Sequence, residues 1–166
     1  MMPKAFTLVE ILIVVVILGI LAAIVVPKFS GASDQARASM LADDLRLMRT
    51  QFMVYKSQHH GVSPGYPGGD DTTAPNGDAL VAQMTLASNA AGTTGAIGSV
   101  GLNYGPYFRE FPPNPVNSKT TVLVIEDAGA VPAASNVFGW IYQPSTMTIR
   151  ADSTGVDDQG KAFYNY

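Results

Sequence analysis

Residues 6–27 read FTLVEILIVVVILGILAAIVVP, and this stretch decides the architecture. It follows a short polar leader, Met1–Ala5, whose one charge is Lys4. From Ile11 to Val26 no residue is charged, and nearly all are Ile, Leu, Val or Ala. A membrane-spanning helix needs about 20 apolar residues at ~1.5 Å each. Phe6–Val26 reaches that length, interrupted only by Thr7 and Glu10. Three readings compete. A secretory signal has a shorter apolar core, roughly 7–15 residues, with its basic region first; here the run is longer and a carboxylate sits near its start. A cut at Ala22-Ala23 would leave apolar Ile24, Val25 and Val26 behind it. A plain signal anchor fits Lys4 inside and a bulky domain outside. A helix that spans a membrane and later packs into an assembly also accounts for Glu10. An acid in hydrocarbon is costly and usually functional, and it gains where a neighbour's positive charge meets it.

The rest of the composition narrows the classes. The chain has 166 residues, enough for about one domain. Its net charge is −3 and its Lys and Arg are scattered, so no basic stripe offers a nucleic-acid surface. Charged residues are 14% of the chain, against about 25% for an average soluble protein, and the apolar run carries that deficit. There is no cysteine, which rules out disulfides, thiolate metal sites and cysteine nucleophiles.

Beyond Pro27 the pattern changes. Leu41, Leu45, Met48, Phe52 and Tyr55 recur at helical spacing and form one stripe, while Asp34, Arg37, Asp43, Asp44, Arg46 and Arg49 fall largely off it. This is an amphipathic helix packing on a sheet, with Gly31 and its serines a weak point before it and Gly61 a candidate cap after it. His59 and His60 are adjacent and point apart, so they read as cations at the negative helix end and not as a metal pair. Residues 61–78 are rich in Gly, Pro, Asp and Thr and read as loop; Ala79–Leu86 reads as a short helix with Leu80, Met84 and Leu86 inward. Residues 88–101 read as loop, and their glycines lack the Gly-Lys-Ser/Thr ending of a phosphate loop. Thr120–Ile125 reads as a strand, and Phe138–Tyr142 with Met147–Ala151 as a hairpin. Phe163, Tyr164 and Tyr166 anchor the end of the chain.

No catalytic constellation emerges. There is no Gly-x-Ser-x-Gly elbow and no His-Glu-x-x-His. The adjacent acids Asp43-Asp44, Asp70-Asp71 and Asp157-Asp158 read as solvated surface. Asp152, Asp157 and Asp158 lie close in sequence, with Gly155 and Gly160 for tight turns and Ser153 and Thr154 adding oxygens. Calcium takes six to eight oxygens, so a site here is one expectation. The spacing does not follow the EF-hand, and a solvated acidic turn is the other.

Lys4-Ala5-Phe6-Thr7-Leu8-Val9-Glu10 with the apolar run behind it resembles the class III leader of type IV pilins and pseudopilins. The resemblance implies cleavage after Ala5, where the family usually has glycine, and methylation of the new N-terminal Phe6 by a prepilin peptidase. It places the family's fifth mature residue, a glutamate, at Glu10, and the family's helix-kinking proline at Pro27. Asn103–Phe108, Phe111–Pro115 and Gly139–Tyr142 are similar, more loosely, to the major pseudopilin of type II secretion, which binds calcium near its C-terminal loop.

The implied fold is α+β: a long N-terminal helix, membrane-spanning in its first half and amphipathic in its second, packed on a small antiparallel sheet. The implied segments are a leader over 1–5, an assembly helix over 6–27 and an amphipathic helix over 28–60. A variable region over 61–119 and a sheet with its loop over 120–166 follow. The implied partners are the peptidase, identical subunits in a helical filament, an inner-membrane assembly platform, minor pseudopilins and lipid, with no nucleic acid. The implied place is the bacterial inner membrane, crossed once, with the C-terminal domain periplasmic or extracellular. A surface fibre for adhesion, motility or DNA uptake is the alternative within the family. A signal-anchored enzyme or binding domain is the alternative outside it.

Overall fold

The computed structural model describes residues 7–126 and 131–166, without the side chains of 24–33. The first helix, α1, runs Leu8–Gln58, its 51 residues helical throughout. Pro27, the proline that the resemblance expects to kink the helix, falls within it; the backbone there is helical, and the side chain of Pro27 lies outside the described residues. Thr7 caps the start, and His59 caps the end, with Gly61 N–H bonded back to the Lys56 carbonyl at 3.0 Å. Gly61, at φ +83°, takes the left-handed turn that closes a helix.

The two halves of α1 differ in what covers them. From Leu8 to Leu21 every large apolar side chain is half exposed or more. From Ala38 onward the stripe Leu41, Leu45, Met48, Phe52 and Tyr55 is fully buried. Among the described residues no helix is long and apolar enough to cross a membrane; the apolar run continues beyond Ala23 into side chains outside the described set.

The stripe packs against a three-stranded sheet of β3 (Val122–Val124), β4 (Trp140–Gln143) and β5 (Thr148–Ala151), in that spatial order. The β4–β5 hairpin is antiparallel, with Trp140 opposite Ala151 and Tyr142 opposite Ile149. The β3–β4 pair is parallel, with Val122 opposite Trp140, so the sheet is mixed and not antiparallel throughout. The physical reason is the connection between Ile125 and Gly139, long enough to carry the chain back to the start of the sheet. All four β4 residues are buried, as a central strand covered on both faces requires. Phe52 meets Tyr142 edge to face at 4.8 Å, and Trp140 donates its indole N–H to the Pro112 carbonyl at 2.9 Å.

The middle of the chain forms α2 (Gly77–Thr85) and a two-residue hairpin, β1 (Ala87–Ser88) with β2 (Thr94–Gly95). Asn76 caps α2 through its side chain. Leu80 and Met84 point inward as expected; Leu86 lies past the helix end and is 37% exposed, and Gln83 is buried instead. Gln83 accepts from Gly65 N–H and donates to the Tyr66 carbonyl, each at 2.7 Å, tying the 61–69 loop to the helix. Apart from Ala87, the hairpin β1–β2 falls inside the segment read as loop. Single-turn 3-10 helices occupy Pro67–Gly69 and Phe163–Asn165. Phe163 joins the core, and Tyr166 packs on its edge.

Candidate assembly site and the closure of the C-terminal domain

Ala5 and Phe6, the residues expected at the processing point, lie outside the described residues. Glu10 is described. Its Oε2 accepts from Thr7 N–H at 2.8 Å and from the Thr7 hydroxyl at 2.9 Å, while Glu10 N–H donates to Thr7 Oγ1 at 3.2 Å. This is a capping box: each residue satisfies a helix-end N–H of the other. Sequence pattern alone carries the signal, Thr followed three residues later by Glu before an apolar run. Around Glu10 the side chains of Leu8, Val9, Ile11, Leu12 and Ile13 are all exposed, so an acid stands in an apolar surface with no cover.

At the other end, Asp152 and Asp157, two of the three acids expected to share a cation, have different hydrogen-bond partners. Asp152 is fully buried at the end of β5. Its Oδ1 accepts from Ser135 N–H at 2.5 Å and Asn136 N–H at 3.2 Å; its Oδ2 accepts from Phe138 N–H at 2.8 Å and the Ser135 hydroxyl at 2.9 Å. Burial pushes the Asp152 carboxyl up, but the donors from Ser135, Phe138 and Asn136 outweigh it and hold the group below its ordinary value. Asp157 turns its Oδ1 to Gln159 N–H at 2.9 Å and Lys161 N–H at 2.8 Å, and its Oδ2 takes the Tyr166 hydroxyl. That hydroxyl, opposed by desolvation and helped by the two N–H groups and the Lys161 charge, holds Asp157 low; in return Tyr166 is pushed up to about 12. Asp158 is exposed. Among the described residues no three acidic or histidine side chains are grouped to hold a metal. Asp152 and Asp157 spend their described bonds on N–H and O–H donors, which compete with the calcium expected from the three acids.

The donors around Asp152 belong to a polar knot that sequence reading missed. Asn114 Nδ2 donates to the Gly139 carbonyl at 2.7 Å and to Ser153 Oγ at 3.1 Å. Asn117 Nδ2 donates to the carbonyls of Phe138 at 2.8 Å and Asp152 at 2.9 Å. The Lys119 ammonium donates to the carbonyls of Asn136 and Val137, the latter at 3.1 Å. Three segments far apart in sequence are thereby sewn together by side chains whose spacing carries no periodic signal.

His59 sits at the end of α1, as expected, and is buried there. One ring nitrogen, Nδ1, lies 2.7 Å from the Tyr55 carbonyl, and Nε2 lies 2.9 Å from Ser88 Oγ. A carbonyl only accepts, so Nδ1 carries the proton and Nε2 accepts from Ser88. The ring stacks on Tyr55 at 3.7 Å and closes α1 onto β1. Burial lowers its pKa; the Tyr55 carbonyl pulls the other way, and His60 adds to the lowering. Arg49, off the apolar stripe, donates to the carbonyls of Ile149 at 3.2 Å and Tyr166 at 3.0 Å, binding α1 to β5 and the chain end.

Residues 1–26 match the family model described as the prokaryotic N-terminal methylation motif. The chain is 47% identical over 53 residues to the type II secretion system core protein G of Pseudomonas aeruginosa, a match that covers 32% of this chain and 37% of that protein. It is 31% identical over 122 residues to the protein of the same name from Klebsiella pneumoniae, covering 72% of this chain and 74% of the relative. It is also 31% identical over 99 residues to the type IV narrow pilus major component of Thermus thermophilus, covering 57% of this chain and 85% of the relative. No solved structure matches. With these relatives, the methylation motif, the bare apolar half-helix and the domain built on the other half mark a structural subunit of a polymer, not an enzyme. The chain belongs to the family of type IV pilins and type II secretion pseudopilins, membrane-anchored subunits of extracytoplasmic filaments.

Proposed function

We propose that the chain is the repeating subunit of a type II secretion pseudopilus, cut after Ala5 by a prepilin peptidase, methylated on Phe6 and held once across the inner membrane by residues 6–26 until it is polymerised. The likeness to core protein G in several species, extending over 74% of the Klebsiella protein, carries the choice of secretion over a surface fibre. The likeness to the Thermus pilus component supports the fibre as the second reading. Within the filament, Glu10 pairs with the Phe6 amine of a neighbouring copy. Opposite charges brought together away from water attract strongly, and either alone is costly. The assembly platform and minor pseudopilins are the remaining partners. Intact-mass analysis of assembled material should show the chain beginning at methylated Phe6; a retained Met1 leader refutes the processing. Deleting the gene should strand secreted enzymes in the periplasm; normal secretion with lost surface fibres selects the second reading. Glu10→Leu should leave insertion intact and abolish filaments, and normal filaments from it refute the pairing.

A further inference from the structure

The loop Ser135–Phe138 lies between two charges, and its peptide groups face both of them in a consistent direction. The peptide bond joining Val137 to Phe138 presents its carbonyl to the Lys119 ammonium at 3.1 Å and its N–H to Asp152 Oδ2 at 2.8 Å. The preceding peptide bond presents the Asn136 carbonyl to the same ammonium and the Val137 N–H to Ser135 Oγ at 3.3 Å, and that hydroxyl donates to Asp152 at 2.9 Å. Two routes therefore run from cation to anion, one through a single peptide dipole and one through a dipole and a hydroxyl. Asn136 at φ +59° supplies the left-handed residue that turns successive N–H groups into an anion-binding concavity. In such chains each bond polarises the next.

The structure assigns to Lys119 the role of the C-terminal domain's own cation: Lys119 and Asp152 form an ion pair transmitted through the peptide groups of residues 136–138, and it closes the domain without a metal or a disulfide. The ammonium occupies two carbonyls, and Asp152 is turned to N–H and hydroxyl donors. The carboxylate at the buried end has four donors, and the ammonium at the exposed end is anchored by two acceptors. Gly139 permits this closeness: a Cβ there would sit 2.1 Å from the Lys119 carbonyl oxygen.

The test uses the full-length protein in detergent, followed by fluorescence of Trp140, the one tryptophan, buried beside Gly139. The wild-type melting midpoint should be the same in millimolar calcium and in chelator. Lys119→Met, a change at an exposed side chain, should lower it by about 3 °C or more in both, and Lys119→Arg should restore most of the loss. Lys119→Met introduced into Asp152→Asn should cost less than it does in the wild type, because the charge at the far end is already gone. A wild-type midpoint that drops in chelator overturns the proposal, and so does a Lys119→Met midpoint equal to wild type. If Asp152→Asn does not fold, the Lys119 variants and the chelator comparison decide alone.

Discussion

Replacing His59 by leucine should unfasten the end of α1 from β1 while leaving a side chain of similar bulk. The variant loses two hydrogen bonds, Nδ1–H to the Tyr55 carbonyl and Ser88 hydroxyl to Nε2, each worth about 1 kcal/mol net. It also loses the stack on Tyr55, worth about 1 kcal/mol beyond its buried area. The total is about 3 kcal/mol, and at about 3 °C per kcal/mol the melting midpoint should fall by about 9 °C. The same ring sets an acid-side slope. Burial holds the folded pKa of His59 below the ordinary 6.5, so on acidification the unfolded chain takes up the proton first. This contribution to stability is complete above about pH 6.5 and is lost as pH falls from there toward the folded value. Asp152 and Asp157, also held low, act in a separate window below 3.8, where stability falls as they are protonated. The assay is thermal unfolding of the full chain, read by Trp140 fluorescence at pH 7.5 and in steps down to 5. His59→Leu should have the lower midpoint at pH 7.5 and a flatter dependence between these values. An unchanged midpoint, or an acid slope as steep as that of the wild type, refutes the assignment of a neutral, doubly bonded imidazole.

Leu45→Ala, at the centre of the buried stripe, should cost about 2–5 kcal/mol by denaturant unfolding, and a loss under 1 kcal/mol would mean that the stripe is not the core. Gly139→Ala should abolish folding or lower the midpoint sharply, because the new methyl meets the Lys119 and Thr121 carbonyls and backbone cannot yield as a side chain can; a wild-type melt contradicts that packing. Tyr166→Phe should let the Asp157 carboxyl titrate closer to its ordinary value, since the tyrosine hydroxyl is the largest influence holding it down; carboxyl chemical shifts against pH measure this, and an unmoved titration removes the contact.

What could be read from the chain alone was whatever repeats. The five residues from Leu41 to Tyr55 recur at the period of a helix, and all five are fully buried. The β4–β5 hairpin was legible because a turn separates two runs that share alternating apolar positions. The direction of β3 was not, since Thr120–Ile125 looks the same whether its neighbour runs with it or against it. The acids at 152, 157 and 158 suggested one site because they are close in sequence. The donors that meet Asp152, from Ser135, Asn136 and Phe138, lie 14 to 17 residues away, and no local pattern announces them. The bond from His59 to Ser88 was illegible for the same reason: the two lie 29 residues apart.

The short sheet has a bearing on how such a molecule can be crowded safely. A strand with an unpaired margin is a template on which a second chain can add, and the risk grows with local concentration. Here the outer strand β3 has α2 beside it, and the outer strand β5 has the final 3-10 turn beside it. The strands are only three or four residues long. Copies held side by side in a polymer therefore meet outer strands that are short and neighboured by their own chain, which leaves the bare half-helix as the adhesive part and disfavours uncontrolled cross-β growth in the ordered fibre.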